Sequence, residues 1–247
     1  MVAMDLNSDL GEGCDGDAAL MEIVSSANIA CGAHAGDIAT MQCTVEAAVR
    51  NGVSIGAHVA YPDREHFGRH DMQMPSQALT ASILQQLSTL DSITRAAGSR
   101  VRYLKAHGAL YNRMMDDADV AGAVIAAIKC FDSSLTLLTL PDSLAMNRAQ
   151  SQGLSVVGEA FADRAYTASA RLVPRTQSGA VIIDVTTVAQ RAVEIATIGR
   201  VASMEGSNIS IYAHSLCVHG DTPGAVELAR AVRVALEQFG VTIRSFT

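Results

Sequence analysis

Short apolar runs alternate along the chain with longer segments in which apolar residues recur at every third or fourth position. The runs predict buried β-strands, and the longer segments predict helices with one apolar face. About seven strands are expected, the last of them as an extended stretch interrupted near His214. They cover 2–6, 28–31, 53–57, 101–104, 135–140, 154–158 and 209–218.

The predicted helices are bounded by start and stop signals in the sequence. Asp37 is the expected N-cap of the first helix, and Gly52 is its expected end. Thr222-Pro223 predicts the start of the last helix, with Pro223 at the first helical position. Other helices are expected over 79–98, 120–128, 144–152 and 185–198, and the last one ends at Gly240.

The alternation of strands and helices implies a parallel sheet. Polar residues at the ends of several strands favour a closed barrel, because an open doubly wound sheet concentrates its ligand contacts at one switch point. The chain has 247 residues, and a (β/α) barrel typically has about 250. We therefore predict an α/β fold, a TIM-like barrel with about seven parallel strands, as a single domain over 1–247.

Composition narrows the class of protein further. Hydrophobic residues make up 49% of the chain and charged residues 17%, against about 25% charged residues in typical domains. A compact domain is therefore expected, with some of its surface hidden in a homo-oligomer. The net charge of −7 and the absence of Trp argue against nucleic acid and anionic membranes as partners.

The N-terminus has no basic segment followed by an apolar one, and the long charge-free run over 72–90 is rich in Gln, Ser and Thr. We therefore expect neither a secretory signal nor a membrane span, and a cytoplasmic location. The five cysteines are widely spaced and include no C-x-x-C pair, so neither a disulfide framework nor a zinc ribbon is expected.

Four histidines end apolar runs and precede turns, namely His34, His58, His107 and His219. If the runs are parallel strands, these imidazoles gather at the C-terminal face of the barrel, where active sites form. They could bind a metal ion as neutral imidazoles, or serve as general acid and base. The sequence leaves open which histidine does which. The remaining three histidines are expected to be loop or packing residues.

Charged residues accompany these histidines. Asp9 and Glu12, in the acidic segment after the first predicted strand, could bind a metal, act as a base or orient a histidine. One interpretation is a metal set of Asp9, His34 and His58. Lys105 lies two positions before His107 and could neutralise a carboxylate or phosphate, or stabilise an oxyanion. A charged turn and a solvated lysine are the alternatives.

Three arginines follow predicted strands, namely Arg69, Arg164 and Arg175. Each could hold a carboxylate or phosphate through two hydrogen bonds, with surface ion pairing as the alternative. Asp163 precedes one of them in the sequence. Asp221 follows the fourth histidine at the predicted helix start, where free N–H groups would favour an anion. Helix capping is the alternative for this aspartate.

Taken in order, the polar segments closely resemble the LamB/YcsF family, which provides the A subunit of prokaryotic ATP-dependent 5-oxoprolinase. Any one segment would be unspecific, but together they run from residue 5 to residue 223. They are Asp5–Glu12, Ser26–Asp37, Gly56–His58, Tyr61–Asp63, Phe67–Arg69, Lys105–Asn112, Glu159–Tyr166, Pro174–Arg175 and Cys217–Pro223.

The resemblance implies a seven-stranded TIM-like fold related to glycoside hydrolases and polysaccharide deacetylases. It also implies hydrolysis of the 5-oxoproline lactam to L-glutamate, coupled to ATP hydrolysis, with subunits B and C as partners. ATP with Mg²⁺ would be the cofactor of that complex, whereas a divalent metal in the chain itself is left open.

The resemblance and the residue chemistry together define the expected site. The expected catalytic residues are Asp9, His34, His58, Lys105, His107 and His219. The expected substrate- or phosphate-binding residues are Asn7, Glu12, Arg69, Tyr111, Asn112, Asp163, Arg164, Arg175 and Asp221. The positions that depart from the family pattern, which bear on substrate detail more than on reaction class, include Ser8, Ala33, Val59, Ala60, His70 and Ala106.

Two other functions suit the same residues. One is a metal-dependent carbohydrate deacetylase or hydrolase on the same barrel, which would act on an acetylated sugar without partners or ATP. The other is a non-catalytic binding protein that presents the lactam to its partners. Such a protein would bind lactam and keep full activity in every histidine variant.

Overall fold

The structure, a computed structural model, describes residues 2–247. Its strands are β1 (Ala3–Leu10), β2 (Ser26–Ala30), β3 (Ser54–Val59), β4 (Tyr103–Ala106), β5 (Thr136–Thr139), β6 (Val156–Phe161), β7 (Arg200–Ala202), β8 (Asn208–Ser210), β9 (Ser215–Cys217) and β10 (Thr242–Ile243). Its helices are α1 (Asp17–Met21), α2 (Ile38–Asn51), α3 (Ser76–Ala96), α4 (Gly108–Met114), α5 (Ala118–Phe131), α6 (Leu144–Ser151), α7 (Val185–Ile198) and α8 (Ala225–Gln238).

Seven parallel strands form a closed ring in the order β1, β2, β3, β4, β5, β6 and β9, and β9 pairs back with β1. The short strand β10 adds parallel pairing beside the first residues of β1. The predicted α/β barrel of about seven parallel strands is therefore confirmed. Its strands are short and buried because helices cover the outside of the ring and side chains fill the inside.

Helix α2 shows how local sequence sets an element. The side chain of Asp37 accepts a hydrogen bond from the Thr40 N–H at 2.8 Å, which satisfies a free donor at the helix start. Gly52 follows the helix with a φ of 66°, in the left-handed region that glycine adopts without strain. Met41 and Val45 form the buried face. The predicted N-cap and helix end are both confirmed.

Three predicted strands have clearly wrong boundaries, and one of them is β6, which runs to Phe161 and not to residue 158. β1 continues to Leu10, so Asn7 and Asp9 are strand residues and do not belong to a turn. Their polar side chains fill the ring interior, which apolar periodicity does not reveal. The stretch 209–218 divides into β8, which pairs antiparallel with β7 outside the ring, and β9, which closes the ring.

The predicted start of the last helix is also wrong. α8 begins at Ala225 after Gly224, whose φ of 76° lies in the left-handed region. Pro223 therefore belongs to the preceding turn, and no helix N-terminus lies directly beside His219. The short elements α1, α4, β7 and β10 were not predicted.

One row of residues crosses four neighbouring strands inside the ring. Asp9, Asn28, Gly56 and Tyr103 are successive partners along this row. A side-chain carbon at Gly56 would lie 2.1 Å from the Tyr103 ring, so glycine is required there. The ring interior is therefore filled by a tyrosine that reaches over its neighbour toward Asn28.

None of the helices in the described residues 2–247 combines the length and the apolar character needed to cross a bilayer.

Candidate active site at the mouth of the barrel

A cavity of about 460 Å³ opens at the C-terminal ends of the ring strands. Its walls come from strand ends, from α4 and from the loops that follow β3, β6 and β9. The predicted site residues that line it are Asp9, Glu12, His58, Arg69, Lys105, His107, Tyr111, Asn112, Arg164, Arg175, His219 and Asp221. Residues far apart in the sequence are thus gathered at one end of the barrel.

Three predicted site residues lie behind the cavity wall, namely Asn7, His34 and Asp163. Asn7 accepts a hydrogen bond from Lys105 Nζ at 3.3 Å. His34 contacts Glu12, and Asp163 contacts the ring of His219, as described below. All three are buried, so this structure places them where they orient cavity-lining side chains.

Lys105 is the charge centre of the cavity floor. Its Nζ lies 3.0 Å from Asp9 Oδ1, 2.8 Å from Glu159 Oε1 and 3.2 Å from Cys217 Sγ. Glu159 is fully buried, and Lys105 is the cation that pairs with it. Burial disfavours the ammonium form, but the adjacent carboxylates outweigh burial and hold the pKa of Lys105 well above its ordinary value.

Asp9 is a carboxylate held by Lys105, His58 and an amide. Its Oδ2 lies 3.2 Å from His58 Nε2, and Asn28 Nδ2 donates to its Oδ1 at 2.8 Å. Burial alone would raise the pKa of Asp9. The interactions with His58 and Lys105 outweigh burial and hold that pKa well below its ordinary value. Asp9 is therefore an anion that cannot serve as an acid near neutral pH.

Three imidazoles and one carboxylate form a second cluster. Glu12 Oε1 lies 2.8 Å from His34 Nε2, 3.4 Å from His107 Nδ1 and 3.7 Å from His58 Nε2. The His34 and His107 rings stack with centroids 3.9 Å apart. Burial, together with the charge of His58, lowers the pKa of His34 to about 3. Burial and the neighbouring imidazoles likewise lower the pKa of His107.

Glu12 is unusual among these acids. Burial raises its pKa well above the ordinary value, and the negative charge of Asp9 adds to the effect. A buried carboxyl next to another anion holds its proton more tightly unless a cation is supplied. The cluster therefore contains a carboxyl and two imidazoles that all favour their neutral forms.

His219 and Asp163 form a separate pair. His219 Nδ1 lies 2.9 Å from Asp163 Oδ2, and the backbone N–H of His219 donates to the same oxygen at 3.1 Å. The ring stacks on Phe161 with centroids 5.4 Å apart. Because Asp163 is ionised and accepts a hydrogen bond from the Nδ1–H of His219, the other ring nitrogen of His219 is left to accept or donate a proton. Burial acts against this ionisation, but His219 holds the pKa of Asp163 below its ordinary value.

The cavity rim carries two arginines around one carboxylate. Arg69 pairs with Asp221, and Arg175 Nη1 lies 3.3 Å from the same carboxylate. The arginine side chains are 40% and 25% exposed, so an anion from solution can reach them. Arg164 is different, because its buried guanidinium donates to the carbonyls of Val173 and Ala180. It supports the loop behind the rim.

Helix α4 supplies the remaining predicted residues, Tyr111 and Asn112. The Tyr111 hydroxyl is buried and has no hydrogen-bond partner among the described residues. Burial raises the pKa of this phenol well above its ordinary value, so it stays protonated and can donate. A ligand oxygen in the cavity is a suitable acceptor for such a donor.

Sequence reasoning missed three polar residues of the site, Asn28, Tyr103 and Glu159. Asn28 bridges Asn7 and Asp9, and the Tyr103 hydroxyl donates to Asn28 Oδ1 at 2.8 Å. Glu159 was a detectable signal, because it is the one charged residue of the otherwise uncharged strand β6. A charged side chain inside a buried strand needs a buried partner, which here is Lys105.

The histidines and acids fall into three groups with metal-ligand spacing in the described residues. Glu12, His34, His58 and His107 present donor atoms within 4.8 Å of one another. A second group joins Asp9 to Cys217 and His219, and a third, on the exposed loop after β3, consists of Asp63, His66 and His70. Of the predicted metal set, His34 and His58 fall in the group with Glu12 and His107, and Asp9 Oδ2 lies beside this group, 3.2 Å from His58 Nε2.

Fold and site together define the class of protein. A closed α/β barrel with buried acids, imidazoles and a lysine around a cavity at its C-terminal mouth is an enzyme-like barrel. The sequence model of the LamB/YcsF family matches residues 4–247. A protein of Agrobacterium fabrum (strain C58), named as a 5-oxoprolinase A subunit, is 50% identical over 251 residues, covering 100% of this chain and 98% of that protein. The chain belongs to the LamB/YcsF family, as its polar segments predicted.

Solved structures agree with this assignment. The crystal structure of the lactam utilization protein from Thermus thermophilus has 38% sequence identity and a TM-score of 0.92, covering 99% of this chain and 100% of that one. A family 4 carbohydrate esterase from Streptomyces lividans has 10% identity and a TM-score of 0.54, covering 100% of this chain and 93% of that one. The second likeness concerns the fold alone, and it agrees with the predicted relation to deacetylase-like barrels.

Proposed function

We propose that this chain is the A subunit of an ATP-dependent 5-oxoprolinase, acting as a single barrel domain that holds the lactam during its hydrolysis to L-glutamate. The full-length likeness to a protein named as a 5-oxoprolinase A subunit, at 50% identity, is the observation that carries this proposal. The same proposal includes subunits B and C as partners and a cytoplasmic location. It also includes ATP with Mg²⁺, because the lactam needs activation that ATP supplies.

The chemistry explains why ATP is needed. Amide resonance lowers the electrophilicity of the lactam carbonyl, so water attacks it slowly. Transfer of the terminal phosphoryl group of ATP to the carbonyl oxygen converts that oxygen into a phosphate leaving group. Water then adds to the activated carbon, and the ring C–N bond breaks with a proton delivered to nitrogen, which leaves an acyl phosphate. A second water hydrolyses this acyl phosphate, and phosphate leaves. The products are glutamate, ADP and phosphate.

The rim arginines suit the carboxylate of 5-oxoproline. Arg69 and Arg175 already surround one carboxylate, that of Asp221, and remain partly exposed. Lys105 is less suited to this task, because Asp9 and Glu159 already neutralise it at the cavity floor. A cavity of about 460 Å³ is in the range of roughly 300–1,000 Å³ found for small-molecule sites.

His219 is the best placed proton carrier. Asp163 accepts a hydrogen bond from His219 Nδ1. A ring nitrogen of His219 lies within 4.8 Å of a carboxylate oxygen of Asp9 at the cavity wall. His107 is less suited, because its Nε2 is engaged by the Phe67 carbonyl and its Nδ1 faces His58. In this proposal, His219 takes a proton from the attacking water and returns it to the leaving nitrogen.

The test is turnover of 5-oxoproline to glutamate with ATP by the complex reconstituted with the candidate B and C subunits. His219→Ala should lower kcat by about 10²- to 10⁴-fold, which is the usual contribution of a general acid–base group. His214→Ala is the matched control, because His214 lies five positions earlier and is exposed. It should keep wild-type turnover.

Other outcomes would contradict the proposal at different points. Wild-type turnover by a folded His219→Ala complex would remove this histidine from the chemistry. Absence of ATP-dependent turnover in the wild-type complex would contradict the function itself. Hydrolysis of an acetylated sugar by the chain alone, without ATP, would favour the deacetylase alternative.

A further inference from the structure

Two backbone carbonyls determine where the protons of His58 and His107 lie. His58 Nδ1 is 3.2 Å from the Lys105 carbonyl oxygen, and His107 Nε2 is 2.9 Å from the Phe67 carbonyl oxygen. A carbonyl oxygen can only accept a hydrogen bond, so each of these ring nitrogens carries a hydrogen. In the neutral rings, the opposite nitrogens carry lone pairs.

Those two lone pairs point at each other. His58 Nε2 and His107 Nδ1 lie 2.9 Å apart in a buried environment. Two acceptors at this distance repel unless a cation lies between or beside them. The arrangement matches the way proteins orient metal-binding histidines, by engaging the other ring nitrogen with a carbonyl or carboxylate.

The spacing of the donors also suits a metal. Ligand atoms about 2.1 Å from a tetrahedral ion lie about 3.4 Å from one another. The separations among His58 Nε2, His107 Nδ1 and Glu12 Oε1 are 2.9, 3.4 and 3.7 Å. Nε2 of His34 lies 2.8 Å from the same glutamate oxygen and completes a four-residue set.

We propose that His58, His107 and Glu12, supported by His34, bind one divalent transition-metal ion. Two or three imidazole nitrogens with one carboxylate favour Zn²⁺, Mn²⁺, Fe²⁺, Co²⁺ or Ni²⁺ over Mg²⁺ and Ca²⁺, which prefer oxygen ligands. The site lies in the wall of the cavity, beside Asp9.

The competing explanation is a shared proton, with His58 or His107 as an imidazolium. That arrangement also places a cation between the two nitrogens, but it needs no metal. The two explanations differ in a property that can be measured without substrate, so the test stands apart from the proposed 5-oxoproline hydrolysis.

The experiment is a Co²⁺ titration of full-length protein that has been stripped of metal with a chelator. We expect one equivalent of Co²⁺ to bind, with the visible absorption bands of a nitrogen-ligated ion. Glu12→Gln and His107→Ala should each weaken binding by at least about tenfold. Glu12→Gln preserves side-chain size, so it reports on ligation even if the alanine variant folds poorly.

The matched control is the double variant His66→Ala/His70→Ala, which removes the exposed histidines of the loop after β3. It should bind Co²⁺ as tightly as the wild type. NMR of the wild-type imidazole nitrogens gives a second measure, in which Co²⁺ should shift or broaden the signals of His58 and His107. Unchanged Co²⁺ binding in Glu12→Gln and His107→Ala, or binding lost only in the loop variant, would overturn the proposal. So would a wild-type protein that binds no Co²⁺ and shows an imidazolium.

Discussion

Two aspartates on the same strand, Asp5 and Asp9, show how differently one barrel treats buried carboxyls. Both are buried inside the ring on β1, four residues apart. Burial raises the pKa of Asp5 to about 6. Burial also acts to raise the pKa of Asp9, but that pKa is held well below its ordinary value.

Their partners explain the difference. Asp5 accepts hydrogen bonds from the hydroxyls of Ser25 and Ser26, both at 2.6 Å, and from Ser215. Within residues 2–247, no cationic side chain forms an ion pair with it. Hydroxyl donors offset only part of the cost of burying the charge, whereas Asp9 has the ammonium of Lys105 and the ring of His58.

The two ends of the ring therefore treat a buried carboxyl differently. At the N-terminal end of the ring the carboxyl is held by neutral donors and acts as a structural tie between β1, β2 and β9. At the mouth, the same residue type is kept ionised beside a cavity. The cation, and not burial, distinguishes the carboxyl at the mouth of the barrel from the carboxyl at its N-terminal end.

Lys105→Met should destabilise the protein most, because it leaves Asp9 and Glu159 buried without their cation. We expect the free energy of unfolding to fall by about 3–5 kcal/mol, as for other buried pairs that lose one partner. Urea unfolding near neutral pH measures this. Lys129→Met is the matched control, since Lys129 is the chain's other lysine and is exposed. A loss no larger in Lys105→Met than in Lys129→Met would contradict our account of the cavity floor.

Asp5→Asn removes the other member of the comparison. The folded pKa of Asp5 is about 6 and its ordinary value is 3.8, so the folded state binds the proton more tightly than the unfolded state. Its stabilising contribution is full below the ordinary pKa and is lost as pH rises through about 6. The wild type should lose about 3 kcal/mol across this window on account of Asp5.

In Asp5→Asn that pH dependence should disappear, since an amide does not titrate in this range. The measurement is urea unfolding of both proteins from about pH 4 to about pH 7. Asp15→Asn, at an exposed aspartate, is the control for general charge effects. Parallel stability curves for the wild type and Asp5→Asn would show that Asp5 is not the titrating group.

Tyr103→Phe should have the smallest effect on stability. It tests the support of Asn28, whose side-chain amide bridges Asn7 and Asp9. The variant leaves Asn28 Oδ1 without the hydroxyl that donates to it at 2.8 Å. We expect a loss of about 1–3 kcal/mol, the usual cost of a buried unsatisfied polar atom. Tyr212→Phe, at a tyrosine that is 70% exposed, should change stability by less than about 0.5 kcal/mol. Equal stability of the two variants would mean that this hydrogen bond does not support Asn28.

Much of the architecture could be predicted from local sequence. The apolar runs predicted the seven ring strands, and Asp37 and Gly52 predicted both ends of α2, because capping depends on neighbouring backbone groups. The boundary errors at β1 and at Pro223 have a common origin. In both places the chain follows contacts with distant segments, which no local periodicity reports.

The gathering of His34, His58, His107 and His219 at one end of the barrel also followed from sequence. Each comes at or just after a strand, and all ring strands run in the same direction. Their individual surroundings did not follow. Which ring nitrogen meets a carbonyl, and which meets another histidine, depends on separations of a few tenths of an ångström set by packing.

Periodicity and chain direction are local properties, so the succession of strands and helices, the helical cover and the end of the barrel with the polar residues could be read from the chain alone. The pairing of Lys105 with Glu159, the position of Asp163 behind His219 and the opposite pKa shifts of Asp5 and Asp9 emerge in the folded protein. The physical reason is that a buried charge takes its properties from the groups that replace water around it, and those groups come from remote parts of the chain.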